Sequence, residues 1–152
     1  MPDLIDYQDE AYAKRYAEVI KRVVAAEQRA LPGSQLSEAA ARYLYKLMAF
    51  KDEFEVARLH TDPAFLAQLD AQFKHGYTVK YNLAPPLLAD RDPTTGHLQK
   101  KQYGQWMFKA FQRLAGLKKL RGGALDLFGK TEERRTERDL IDEYIKTLDE
   151  IV

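Results

Sequence analysis

The chain has 152 residues, of which 45% are hydrophobic and 31% are charged, and its formal net charge is +1. Those values exclude intrinsic disorder as the main state, because disordered chains combine low hydrophobicity with a high net charge. Cysteine is absent, which excludes disulfides, thiolate zinc sites and cysteine-bound iron–sulfur clusters within this chain. A length of about 150 residues is typical of one domain, and such a domain can bury a core without a metal or a disulfide.

The first ten residues, MPDLIDYQDE, have neither the basic start nor the apolar centre of a signal peptide. No run in the sequence approaches the roughly 18 apolar residues of a membrane-spanning helix. We therefore expect a cytoplasmic protein that does not contact membranes. The nearly balanced charge predicts no general attraction to nucleic acid or to anionic lipid.

The first long pattern, from Asp6 to Leu31, predicts one amphipathic helix. Its apolar side chains recur at three- and four-residue steps, which place them on one helical face. They are Tyr12, Tyr16, Val19, Val23, Ala26 and Ala30. Pro32 and Gly33 predict the end of this helix.

Ser37 is the predicted N-cap of a second helix, and Glu38 suits the positive end of the helix dipole. The helical pattern continues to His60, with a bend expected near Lys51. Its apolar face contains Tyr43, Leu44, Leu47, Met48 and Phe50.

Asp62 and Pro63 predict the start of a third helix. Aspartate can accept the free backbone N–H groups there, and proline at the first helical position loses no hydrogen bond. The predicted buried stripe contains Phe65, Leu66, Leu69 and Phe73. Gly76 is suited to the left-handed conformation that often follows a helix.

A change of period predicts a small β-hairpin near residues 77–102. Polar and apolar side chains alternate over residues 77–81, as in a strand with one buried face. The two prolines at 85–86 exclude a helix there, and DPTTG at 92–96 has the composition of a turn. We expect the second strand at residues 97–102.

The helical period returns from Gly104 to Leu120, with apolar side chains on most sides. The narrow polar stripe contains Gln105, Lys109, Gln112 and Arg113. A helix that is apolar on most sides is usually buried on most sides. We therefore expect this to be the central helix, ended by Gly122 and Gly123.

Thr131 is the predicted N-cap of the last helix, with Glu132 and Glu133 in its first turn. The apolar face contains Leu140, Ile141, Tyr144, Ile145, Leu148 and Ile151. Because the pattern is unfinished at Val152, we expect the chain to be part of a longer one. Residues 1–152 are predicted to form a mainly α, single-domain bundle of about five to six helices with one small β-hairpin.

The residues predict no catalytic, cofactor-binding or metal site in this chain. Gly129-Lys130-Thr131 resembles the end of a phosphate-binding loop, but position 124, where that motif requires glycine, is alanine. The three histidines do not form the Glu-x-x-His pattern of carboxylate metal sites. They are His60, His75 and His97.

Charged residues provide the candidate interface. Glu55 can pair with Arg58 three residues later or with Lys51 four residues earlier. Residues 100–121 contain seven basic and no acidic side chains, with aromatic residues between them. The candidate interface residues are Lys51, Glu55, Arg58, Lys109, Arg113, Lys118, Lys119 and Arg121. A helical projection scatters the basic charges instead of gathering them on one face, so protein is a more expected partner than nucleic acid.

Four segments, in this order, resemble the C-terminal domain of the long, fused indolepyruvate ferredoxin oxidoreductases of bacteria. They are KLMAFKDEFEVARLHTD (46–62), LAPPLLADRDPTTGHLQKK (83–101), GQWMFKAFQRLAGLKKLRG (104–122) and LDLFGKTEERRTERDLIDEY (125–144). The resemblance covers most of the chain from Ser37 onward. His60 differs from the tyrosine of that family at this position.

The resemblance implies a non-catalytic accessory domain. Enzymes of that family oxidatively decarboxylate aryl 2-oxoacids to acyl-CoA and reduce ferredoxin, using thiamine diphosphate, Mg²⁺ and iron–sulfur clusters. The residues for that chemistry lie in other domains, and this sequence has neither the Gly-Asp-Gly of the thiamine site nor a cysteine. The implied partners are the catalytic domains of the parent oxidoreductase and its dimer mate.

Two other functions stay open. The chain could be a free-standing small helical binding module, whose basic and aromatic surface contacts a protein or nucleic acid. It could also be an independent enzyme that uses Glu53, Glu55 and His60, although these residues match no known catalytic pattern.

Overall fold

The structure, a computed structural model, describes residues 2–30, 33–84, 90 and 92–152. This part of the chain contains seven α-helices, a 3-10 turn at Lys118–Leu120 and a two-stranded antiparallel sheet. The predicted mainly α fold is confirmed. The chain divides into two compact units, one formed by the residues up to Phe50 together with Lys119–Val152, and the other by Lys51–Lys118. The prediction that residues 1–152 form one domain stays a prediction.

Four helices form the first unit. They are α1 (Pro2–Tyr7), α2 (Glu10–Ala30), α3 (Gln35–Met48) and α7 (Glu132–Ile151). Their buried apolar residues form one core, which contains Leu4, Ala13, Val19, Val23, Ala40, Leu44, Met48, Ile141 and Leu148. The apolar faces that the sequence assigned to these helices thus meet each other, as amphipathic helices require.

The single helix predicted from Asp6 was wrong, because the chain breaks between α1 and α2. The Asp9 carboxylate accepts the backbone N–H of Tyr12 at 2.8 Å, which is the hydrogen bond that begins a new helix. The predicted helix end at Leu31 and Pro32 lies outside the described residues.

The predicted cap at Ser37 was also wrong. Helix α3 begins at Gln35, two residues before Ser37. The group that caps it is the carboxylate of Glu27 from α2. It accepts the N–H groups of Leu36 at 2.7 Å and Ser37 at 2.9 Å, and it also accepts the Ser37 hydroxyl. These bonds, above all the one from the Ser37 hydroxyl, lower the pKa of the buried Glu27 carboxyl from its usual value.

Helix α3 ends at Met48 and does not continue to His60 as predicted. The expected bend near Lys51 is a complete break, because the Asp52 carboxylate accepts the Glu55 N–H at 2.8 Å and begins a separate helix. Tyr43, which was predicted on the apolar face of α3, is exposed.

The second unit contains three helices and the sheet. They are α4 (Glu53–Thr61), α5 (Pro63–Gln72), β1 (Tyr81–Leu83), β2 (Lys101–Tyr103) and α6 (Trp106–Gly116). The strands pair antiparallel with Tyr81 opposite Tyr103, so the predicted hairpin is confirmed. Both strands lie later in the sequence than predicted, and the two prolines at 85–86 lie outside the described residues.

The turn predicted at 92–96 is confirmed. The Gly96 N–H donates to the carbonyl of Asp92 at 2.8 Å, and the Asp92 carboxylate accepts the N–H groups of Thr94 and Thr95 at 2.8 and 2.9 Å. Gly96 has a φ of +71°, a conformation that glycine adopts without strain.

Helix α5 begins as predicted but is not buried as predicted. The Asp62 carboxylate accepts the N–H groups of Ala64 and Phe65 at 2.7 and 3.2 Å, and Pro63 occupies the first turn. However, no residue of α5 is buried, and Phe65 is 38% exposed and Phe73 46% exposed. Gly76 has the expected left-handed conformation, with a φ of +85°.

Helix α6 packs against α4. Met107 and Phe111 are its buried residues, whereas Trp106 is 61% exposed and Leu117 is exposed. The prediction of a central helix buried on most sides was therefore wrong. The sequence shows which faces of a helix are apolar, but it does not show how many of those faces other elements cover.

Helix α7 starts at the predicted cap, where the Thr131 hydroxyl accepts the Arg134 N–H at 3.3 Å. Ile141 and Leu148 are buried as predicted. Leu140 and Ile151, which the prediction also placed on the buried face, are exposed.

Candidate interaction surfaces

The charged residues predicted at helical spacing on α4 form a structural ion pair. The Arg58 guanidinium donates two hydrogen bonds to the Glu55 carboxylate, at 2.8 and 2.7 Å, and its Nη1 lies 3.8 Å from Asp62. Glu55 is buried and Lys51 is exposed; within the described part of the chain these two form no ion pair. The predicted pairing of Glu55 with Arg58 is thus present, whereas that with Lys51 is not.

The basic residues of the candidate interface do not lie in one environment. Arg121 is buried and donates a hydrogen bond to the backbone carbonyl of Tyr7. Its guanidinium carbon also lies 3.7 Å from the centre of the aromatic ring of Tyr7. Lys109, Arg113 and Lys119 are exposed. Arg121 therefore joins the end of α1 to the segment before α7, a long-range role that sequence spacing did not reveal.

The eight candidate interface residues are also divided between the two units. Six belong to the unit Lys51–Lys118, and Lys119 and Arg121 belong to the other. Lys101, another basic residue of the same stretch, pairs with Asp90 at 2.8 Å. Arg58, Lys101 and Arg121 therefore each have a partner within the protein.

Residues 122–129 form a turn that the sequence analysis missed, and we call it the Asp126 turn. The buried Asp126 carboxylate accepts the backbone N–H groups of Gly122 at 2.7 Å, Phe128 at 3.1 Å and Gly129 at 2.8 Å. Arg138 of α7 donates to the carbonyl of Gly129. An aspartate followed by glycine at the third position could have indicated this, because Asp side chains bond N–H groups two and three residues later.

The Asp126 turn projects two leucines into solvent. Leu125 is 71% exposed and Leu127 68% exposed, on either side of the buried aspartate. They have the highest exposed fractions among the large apolar side chains of the described residues. The hydrogen bonds of Asp126 hold the backbone that carries both leucines.

His60 is half-buried in an aromatic cluster of the second unit. Its ring is parallel to that of Phe111, with centroids 5.2 Å apart, and edge-on to Tyr81 at 5.2 Å and to Phe65 at 6.2 Å. Burial lowers the pKa of its imidazole from the usual value. His75 and His97 are both exposed, and neither belongs to the aromatic cluster around His60.

An open groove of about 480 Å³ lies above this cluster, and we call it the α5 groove. One wall is the apolar side of α5, and the other is formed by residues 77–83, which include β1. The lining residues are His60, Phe65, Leu69, Phe73, Tyr77, Thr78, Val79, Lys80, Tyr81, Asn82 and Leu83. The sequence analysis missed this groove because it assigned the α5 stripe to the core.

Within the described residues, no group of three or more His, Cys, Asp or Glu side chains is placed to hold a metal ion. The described helices include none that is both long and apolar enough to cross a membrane.

Comparison with protein families gives one match, to DUF6537, a family of unknown function, whose model matches residues 1–152. The chain therefore belongs to DUF6537. Comparison with curated proteins and with solved structures gave no match.

Proposed function

We propose that this member of DUF6537 is the non-catalytic C-terminal accessory domain of an indolepyruvate ferredoxin oxidoreductase. The observation that carries the proposal is the order and length of the four resembling segments, which together extend from residue 46 to residue 144. The segments are long and irregular, unlike the short motifs that match by chance. The parent enzyme would decarboxylate aryl 2-oxoacids to acyl-CoA and reduce ferredoxin in the cytoplasm.

In this proposal the chemistry belongs to the other domains of the parent enzyme. Those domains would hold thiamine diphosphate, Mg²⁺ and iron–sulfur clusters. The present chain would bind to them or to the dimer mate, and its contribution would be assembly of the enzyme.

The Asp126 turn supports this role because it presents exposed apolar side chains on a hydrogen-bonded backbone. Single exposed leucines are ordinary on protein surfaces, but Leu125 and Leu127 are two exposed leucines on either side of Asp126, on a turn whose backbone is hydrogen-bonded. A preorganised contact loses less conformational entropy on binding than a mobile one. The turn also belongs to the fourth resembling segment, residues 125–144.

The alternative of a basic and aromatic surface for nucleic acid has less support. Such a surface needs its cations on one accessible face. Arg121 is buried against Tyr7, and Lys101 is paired with Asp90. Of the seven basic residues of that stretch, Arg121 is therefore buried and Lys101 has an acidic partner.

The proposal can be tested by binding in trans. The oxidoreductase polypeptide that lacks this chain and the 152-residue chain would be produced separately, and their affinity measured by calorimetry. We expect binding, and we expect the double variant Leu125→Ser/Leu127→Ser, which removes two leucines, to bind at least about 100-fold more weakly. Burial of a leucine contributes roughly 1.5–3 kcal/mol, and about 1.4 kcal/mol corresponds to a factor of ten.

Leu140→Ser is the matched control, since Leu140 is an exposed leucine of the same unit outside the turn. It should bind like the unsubstituted chain if the contact is made by the Asp126 turn. Absence of binding by the unsubstituted chain would contradict the accessory function. Equal binding by the double variant and the unsubstituted chain would contradict only the role of the Asp126 turn, and not the accessory function.

A further inference from the structure

We propose that a cluster of side chains around Tyr7 clamps both connections between the two units of the chain, so that the two connections open together. We call it the Tyr7 cluster, and it contains Tyr7, Tyr12, Phe50, Arg121 and Arg134. All five residues belong to the unit formed by the residues up to Phe50 and Lys119–Val152. The inference does not depend on the identity of the parent enzyme.

The first observation is the position of the cluster beside the two points where the chain passes between the units. The chain leaves the first unit after Phe50 and returns to it at Lys119. The first connection lies between the end of α3 at Met48 and the start of α4 at Glu53, and the second lies in the 3-10 turn between α6 and α7. Hinges are commonly formed by such loop and element-end residues, which absorb changes of φ and ψ.

The second observation is that Tyr7 contacts one side chain at each connection. Arg121, just after the second connection, donates to the backbone carbonyl of Tyr7, and its guanidinium carbon lies 3.7 Å from the centre of the Tyr7 ring. The ring of Phe50 lies edge-on to the same ring, with centroids 6.2 Å apart. Tyr7 therefore touches the last residue before the first connection and a residue just after the second.

The third observation is the burial of these contacts. Tyr7 and Arg121 are both buried, and a cation over an aromatic ring is stabilised most strongly where water is excluded. Tyr12 stacks on Tyr7, with centroids 5.8 Å apart, and its hydroxyl donates to the carbonyl of Met48 at 3.0 Å. The end of α3, immediately before Phe50, is thus held by the same cluster.

Phe50 is also held from the last helix. The guanidinium carbon of Arg134 lies 5.5 Å from the centre of the Phe50 ring, and Phe50 packs against the apolar core of its unit. The two connections thus share the Tyr7 ring as an anchor, and loss of the contact at one of them should loosen the other as well. A unit joined by two connections changes its orientation freely only when both give way, so the Tyr7 cluster would control that freedom.

Native-state hydrogen exchange of the 152-residue chain tests the coupling between the connections. The Ala49 N–H donates to the Tyr45 carbonyl at 2.9 Å beside the first connection, and the Gly123 N–H donates to the Leu120 carbonyl at 2.9 Å beside the second. Arg121→Leu should speed exchange of the Ala49 amide at least about tenfold, although the substitution is at the other connection. A hydrogen bond to a charged group is worth at least that factor.

Substitutions on both sides of Tyr7 make the coupling measurable. Phe50→Leu removes the aromatic contact but keeps an apolar side chain, and it should speed exchange of the Gly123 amide about threefold or more. The double variant with Arg121→Leu should exchange more slowly than the product of the two effects, because both substitutions act through Tyr7. Arg121→Lys keeps the charge without the planar guanidinium and should give a smaller increase than Arg121→Leu.

Arg22→Leu is the matched control, because Arg22 also joins two helices of this unit, through Asp149 at 2.8 Å, outside the Tyr7 cluster. It should leave the Ala49 and Gly123 amides unchanged. The Leu66 amide, which donates to the Asp62 carbonyl at 3.0 Å in the other unit, should keep its rate in every variant, since its local opening breaks none of these contacts.

The freedom of the units is measured separately with two spin labels. The chain has no cysteine, so Lys21→Cys and Lys109→Cys place one label at an exposed position of each unit. The distribution of distances between the labels should broaden in Arg121→Leu and stay unchanged in Arg22→Leu.

Two outcomes would overturn the proposal. One is an unchanged exchange rate at the connection opposite to the substitution, in both Arg121→Leu and Phe50→Leu, which would make the two contacts separate anchors. The other is an unchanged distance distribution in Arg121→Leu, which would show that the Tyr7 cluster does not control the freedom of the units.

Discussion

Replacement of Gly129 by alanine should open the Asp126 turn. A Cβ atom at position 129 would lie 2.7 Å from Cγ of Asp126, closer still to its Oδ2, and 2.9 Å from Nη1 of Arg138. Real Cβ atoms do not approach other atoms so closely. The carboxylate must therefore move, although it is buried and bonded to three backbone N–H groups.

The size of the effect follows from the bonds that this movement breaks. The bond from Gly122 to Oδ2 is lost first, since Oδ2 is the atom displaced. A hydrogen bond to a charged group contributes roughly 1.5–3 kcal/mol. We therefore expect Gly129→Ala to destabilise the closed turn by about 2–3 kcal/mol.

Native-state hydrogen exchange measures this local opening directly. The amides of Gly122, Phe128 and Gly129 should exchange about 30- to 150-fold faster in the variant, since about 1.4 kcal/mol is a factor of ten. Gly116→Ala is the matched control, because a Cβ there meets nothing within 4 Å and alanine favours a helix over glycine by up to about 1 kcal/mol. Unchanged exchange of the three amides in Gly129→Ala would refute the packing described for this turn.

Three further predictions concern stability. Leu44→Ala removes a fully buried side chain and should lower the free energy of unfolding by about 2–5 kcal/mol, measured by urea denaturation; a loss below about 1 kcal/mol would contradict its place in the core. Thr131→Ala should cost about 1 kcal/mol through loss of the α7 cap, with increased exchange of the Arg134 amide as the readout. Because burial lowers the pKa of folded His60, protonation favours the unfolded chain. The stability contributed by neutral His60 should therefore be complete above about pH 6.5, its usual pKa, and should decrease as the pH falls below that value. Denaturation of His60→Gln should lack this component, and an identical pH profile would contradict it.

Signals that act within a few residues predicted local structure well. The caps at Asp62 and Thr131, the turn at 92–96 and the pairing of Glu55 with Arg58 all depend on groups at most four residues apart. In each case the side chain reaches its partner within one helical turn or one loop. The local sequence was therefore sufficient.

Contacts between distant elements could not be predicted in the same way. Glu27 caps α3 only because α2 and α3 pack together, and Arg121 lies on Tyr7 from 114 positions along the chain. The capping role predicted for Ser37 was wrong because the Glu27 carboxylate of another helix accepts the backbone N–H groups at this helix end. Neither partner can be identified from periodicity.

The α5 groove and the Asp126 turn were missed for a related reason. Helical periodicity shows that Phe65, Leu69 and Phe73 share a face, but it does not show whether anything covers that face. The sequence analysis assumed burial in the core. The exposed leucines of the Asp126 turn belong to no helical or strand period, so only the structure shows that they are exposed.

The central claim is that this chain functions as part of an indolepyruvate ferredoxin oxidoreductase. An antibody raised against the 152-residue chain would be used to detect and isolate the native polypeptide from a lysate of the source cells, and the isolated band would be analysed by peptide mass spectrometry. The account predicts a band much larger than 17.5 kDa that also contains peptides of a thiamine-dependent 2-oxoacid oxidoreductase. A band near 17.5 kDa, or a larger one without such peptides, would contradict it.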